Sequence, residues 1–162
     1  MHDMSEAYRE VLEEVRNGGS IAADLLATLC GRHLGSGVYR KTFLSEANKE
    51  QVVKIETESG HFCNVTEWDI WENLKEHKVL SRWMAPVRYI SPNGVILIQD
   101  RTYPVHVSQM PEKIPRIFCD TKIQNWGWYE GRIVCHDYGN HRLYNGGNIA
   151  QLVKADWWGQ NY

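Results

Sequence analysis

Long apolar runs are missing from the 162-residue chain, so nothing in it reads as a helix that spans a bilayer, and no membrane partner is expected. An excess of either charge is missing too. The formal net charge of −2 gives no electrostatic reason to expect specific nucleic-acid binding. Cysteine is sparse, and Cys30, Cys63, Cys119 and Cys135 lack the close pairing of zinc sites, which points to buried reduced thiols in a cytoplasmic protein. The opening residues Met1-His2-Asp3-Met4-Ser5-Glu6 are acidic and polar, without the layout of a secretory leader. No internal repeat, low-complexity tract or linker divides the sequence, so a single domain over 1–162 is expected.

What is present alternates between helical and strand texture. Ala7, Tyr8, Val11, Leu12 and Val15 form a helical stripe over 5–16, stopped by Asn17-Gly18-Gly19. A second helix over 21–29 is expected, capped by Ser20 and ended by Gly31. Residues 32–44 and 51–56 read as strands joined by a polar loop, and 64–77 as a helix. Strands at 87–90 and 95–99 flank the turn Ser91-Pro92-Asn93-Gly94. Beyond Asp100, Pro104, Pro111 and Pro115 discourage a long helix. Short β segments are expected at 117–119 and 132–135, the latter after a turn at Glu130-Gly131, with a short helix near 149–157. The expected class is α+β, with an antiparallel sheet and one key helix, preceded by two N-terminal helices.

Residues suited to phosphate chemistry recur in order along this framework. Gly35-Ser36-Gly37 is small enough for backbone N–H groups to approach an anion, although an ordinary hairpin turn is the competing reading. It is not a Walker loop, because no Gly-Lys-Ser/Thr follows. Lys54 interrupts an apolar strand, so its ammonium must reach solvent or meet an anion. Glu67 shares a helix face with Ile70, Trp71 and Leu74 and is the expected partner; Glu72 and Glu76 are rivals, with Glu72 turned towards water. Asp120, Lys122 and Asn125 bring a proton acceptor, a cation and an oxygen ligand within six residues, and Asp137 follows in a turn after a strand. Loop capping is the alternative role for Asp120 and Asn125.

In this order and spacing the chain resembles the protein-kinase fold, including its small bacterial and phage relatives, over roughly 34–139. The resemblance implies an N-lobe over 32–101 and a reduced C-lobe over 102–162, after N-terminal helices within 1–31. It implies ATP and Mg²⁺ as cofactors. Gly35, Ser36 and Gly37 would form the phosphate loop, Lys54 the phosphate-contacting lysine, Glu67 its partner, and Gln99 and Asp100 the nucleotide-binding hinge. Asp120 would be the catalytic base, Lys122 the catalytic-loop lysine, and Asn125 and Asp137 the metal ligands. Phe118-Cys119 stands where the family has His-Arg, no Ala-Pro-Glu follows Asp137, and the interval from Lys54 to Glu67 is short for the family.

The expected function is therefore ATP- and Mg-dependent phosphoryl transfer to Ser or Thr of a protein. A non-catalytic kinase-fold module that regulates or inhibits a target protein is the alternative, and nucleotidyl transfer a third. The seven tryptophans include the adjacent pair Trp157-Trp158, read as an aromatic surface for a partner or a homodimer, whereas Trp126 is assigned to the core. His136 is read as a packing or hydrogen-bonding residue rather than a metal ligand.

Overall fold

Two turns decide how the segments between Cys30 and Glu56 fold back on one another. In the computed structural model, which describes residues 23–57, 60–140 and 146–159, they separate β1 (Cys30–Ser36), β2 (Arg40–Ser45) and β3 (Gln51–Glu56). The stretch 32–44, expected as one strand, is thus two, broken at Gly37, whose N–H donates to Arg40 O at 2.8 Å. The expected helix over 5–16 and the Ser20 cap lie outside the described residues.

The chain divides into two compact units. The first contains α1 (Ala23–Leu29), β1 to β3, the start of α2 (Cys63–Leu74), β4 (Val87–Ile90) and β5 (Ile96–Asp100). Its five strands run antiparallel in the order β1-β2-β3-β5-β4. Registers Phe43↔Val53↔Ile98 and Thr42↔Lys54↔Leu97 set two faces, because opposed residues share a face and successive ones alternate. One face is apolar: Phe43, Val53, Ile55 and Ile96 pack with Leu26 and Cys30, and Leu29 and Ile98 border them. The other face receives Lys54.

Gly31 lies in β1 and does not end a helix. A Cβ there would come 3.0 Å from Leu44 O, so close backbone approach accounts for the glycine. Helix α2 begins at Cys63 because Glu56 Oε1 accepts the N–H groups of Cys63 and Asn64, satisfying two otherwise orphaned donors.

The second unit holds Asp69–Pro86 and the described residues from Thr102 onward. Here β6 (Lys113–Pro115) pairs with β9 (Leu152–Lys154), and β7 (Trp126–Tyr129) with β8 (Arg132–Cys135). Two expectations are corrected. Residues 117–119 form no strand, since Phe118 N–H closes a turn on Pro115 O at 3.0 Å, and the strand lies just before them. The segment expected as a helix near 149–157 contains β9, whose backbone groups are met by the edge of β6. Trp126 is the largest buried side chain of this unit, edge-on to Trp83, Phe118 and Trp157. Among the described residues no helix is long and apolar enough to cross a membrane.

Candidate functional site

Lys54 sits on the central strand β3 between Thr42 and Leu97 and is only 4% exposed. Burial on that scale requires an anionic partner. Its Nζ lies 2.6 Å from Oε1 of Glu67, which has no exposed surface. Oε2 of Glu67 lies 2.9 Å from Arg40 Nη2, so one buried carboxylate joins two cations. Arg40 Nη1 also donates to Asn64 Oδ1 at 3.3 Å, and Asn64 Nδ2 donates to the carbonyls of Gly94, Val95 and Lys54 at 3.0, 2.9 and 3.3 Å. The start of α2 is thereby stitched to two strands. Removing the carboxylate would strand both cations, at a cost on the order of 3–5 kcal/mol. The rival Glu72 is exposed and pairs with Lys75 at 2.8 Å, and Glu76 is exposed.

Gly35 and Ser36 close β1, opposite Thr42 and Lys41, and Gly37 opens the turn to β2. Neither Gly35 nor Gly37 has a left-handed backbone. A Cβ on Gly35 would meet nothing within 4 Å, and one on Gly37 only Arg40 O at 3.7 Å. The fold by itself does not demand glycine at Gly35, where it costs about 0.5–1 kcal/mol relative to alanine. Bare backbone beside open space suits close approach by a ligand. Ser36 Oγ is bonded to His33 Nε2 at 3.0 Å.

Gln99 and Asp100 end β5. Gln99 is fully buried, and the Asp100 carboxylate is clamped by Arg88, with Nε 2.8 Å from Oδ1 and Nη2 on Oδ2. The carboxylate of Asp100 is thus engaged by Arg88.

In the second unit Asp120 organises a loop. Its Oδ1 accepts the Lys122 N–H at 3.1 Å, its Oδ2 accepts Asn125 Nδ2 at 2.9 Å, and its carbonyl accepts Trp126 Nε1 at 3.2 Å. The buried indole anchors the loop from below. The β7/β8 register pairs Trp126 with Cys135, and His136 N–H donates to Asn125 O at 2.8 Å, so the hairpin brings the neighbourhood of Asp137 back to Asn125. The His136 ring is held between Thr102 Oγ1 at 2.7 Å and Gln124 O at 2.8 Å, a hydrogen-bonding role. Lys122 Nζ lies 5.7 Å from the centre of the Trp158 ring. Trp157, expected at an interface, packs on Trp126 at 5.2 Å and donates to Pro111 O at 2.8 Å.

Among the described residues no group of three or more His, Cys, Asp or Glu side chains forms a self-sufficient metal cage. Mg²⁺ commonly takes one or two protein oxygens beside phosphate and water. Turning Nδ2 towards Asp120 leaves Asn125 Oδ1 as the atom that would face such an ion, and Asp137, just after β8, would add a carboxylate.

Arg40 and Asn64 were not singled out by sequence reading. Arg40 lies two residues from Thr42, the cross-strand partner of Lys54, so the β2/β3 register carries the signal that a single strand over 32–44 conceals. Comparison with models of known protein families finds no match. No curated protein matches the chain.

Proposed function

We propose that the chain is a phosphotransferase of protein-kinase type, which uses Mg-ATP to phosphorylate a Ser or Thr hydroxyl of a protein. The observation that carries this reading is the buried Lys54–Glu67 pair on the face of the sheet opposite the Phe43–Val53 cluster. Glu67 directs the ammonium, which steadies phosphate oxygens, and the bare backbone at Gly35 and Gly37 admits them closely. Asp120 orients the acceptor hydroxyl and takes its proton as the oxygen bonds to the γ-phosphorus. The bond from phosphorus to the bridging oxygen breaks, ADP carries away that electron pair, and Lys122 offsets charge on the transferred group. Asn125 and Asp137 would hold Mg²⁺, which neutralises phosphate charge when bound.

A second reading, a non-catalytic kinase-fold module that regulates or inhibits a target protein, is favoured by one observation. Both Asp120 carboxylate oxygens already accept hydrogen bonds within their own loop. Incubating the full chain and a cell lysate with Mg²⁺ and ATP labelled at the γ- or α-phosphate separates the possibilities. The expected result is γ-label on protein, lowered at least about 100-fold in Asp137→Ala and Lys54→Met. Label from the α-phosphate would mean nucleotidyl transfer, and no label from either would overturn the enzyme reading in favour of the module.

A further inference from the structure

We propose that Trp158 is a positioning residue for Lys122, carried by a strap over 155–159 that holds the Asp120 loop. The inference rests on the phosphotransferase reading, because that is where Lys122 acts. The strap is laid down by backbone pairing: Ala155 N–H donates to Glu112 O at 2.9 Å, Trp158 N–H to Thr121 O at 3.2 Å, and Ile123 N–H to Trp158 O at 2.9 Å. Thr121 Oγ1 adds a bond to Asp156 O at 2.5 Å. Two further contacts fix its path. Trp157 is packed edge-on against Trp126, the indole that also anchors Asp120. Gly159 has φ +105° and presses so close to the Gln124 amide that a Cβ would collide with it.

The strap sets Trp158 beside Lys122 in a parallel bridge, and the ammonium comes to rest 5.7 Å from the ring centre. A free lysine samples many rotamers, so holding it costs entropy unless something fixes the stem. A carboxylate would fix it by cancelling its charge. An aromatic face attracts the cation and leaves the full charge for a phosphate. The Trp158 side chain is otherwise expendable, because the residue is 55% exposed and the pairing is made by its backbone.

The test measures γ-label transfer by the full chain, with kcat and KM for Mg-ATP, in the wild type, Trp158→Phe, Trp158→Ala, Lys122→Ala and the double Ala variant. The expected result is a kcat lowered about threefold to tenfold in Trp158→Ala, with KM changed less than about twofold, and most activity kept in Trp158→Phe. The double variant should transfer no more slowly than Lys122→Ala alone. Melting temperatures of all variants identify any loss due to unfolding; if Trp158→Ala fails to fold, Trp158→Leu takes its place. Wild-type kcat in Trp158→Ala, or independent losses that multiply in the double variant, would overturn the inference and leave the phosphotransferase reading intact. Absence of transfer by the wild type would instead sink that reading, and this inference with it.

Discussion

A carboxylate without exposed surface survives in a folded chain only where cations reach it, and Glu67 has Lys54 on one oxygen and Arg40 on the other. The same physics acts in reverse at Cys30, which lies in an apolar cluster with Leu26, Phe43 and Val53. Burial pushes its thiol from the ordinary 9.0 up to about 12. Because the folded value is the higher one, Cys30 imposes no pH-dependent cost below pH 9.0 and destabilises the fold as pH rises from there towards about 12. The loss is about 1.4 kcal/mol per pH unit within that window. Urea denaturation at pH 8 and pH 10.5 should therefore show a steeper loss of stability in the wild type than in Cys30→Ala; equal losses would count against this burial.

At the scale of elements, the β7/β8 hairpin does most to assemble the Asp120 loop, since its register returns His136 to Asn125. Its turn places Glu130 at φ 46° and Gly131 at φ 75°, the doubly left-handed arrangement that fits the twist of a two-residue hairpin loop. Glycine is at ease there and glutamate is not. Replacing Glu130 by asparagine, which tolerates this conformation, should stabilise the chain by about 0.5–1 kcal/mol. A thermal melt checks it, and an unchanged or lowered midpoint would argue against the turn geometry. Glu130 pairs with Arg132 only at 3.6 Å on the surface, so little is lost with its charge.

On the scale of the molecule, each unit carries its own buried cluster, and in the first the sheet order leaves β1 and β4 at the edges. Among the described residues β1 and β4 each pair with one strand, which leaves half of their backbone groups without a strand partner, while β3 and β5 are bonded on both sides. Native-state hydrogen exchange should find the amides of β3 and β5 at least about tenfold slower than those of β4. Comparable rates in β4 and β5 would contradict the strand order.

The α+β class, the helix carrying Glu67 and the strand pairs around Lys54 and Asn93 were legible in the sequence, because alternation and turn residues are local properties. The pairing of Lys54 with Glu67 was legible as well, since a helix face and a strand face leave few places for a buried charge. Long-range register was not. Whether 32–44 is one strand or two, and whether Leu152–Lys154 is a strand or part of a helix, depends on which edge becomes available for pairing. Local propensity does not contain that information. The sequence by itself determined which residues alternate, which must be buried and which need a partner. Only the tertiary structure decided that Arg40 shares Glu67, that Asn64 ties α2 to the sheet, and that Trp158 lies beside Lys122. Each is a contact between segments distant in sequence, and such contacts are set by the register and packing of the whole unit.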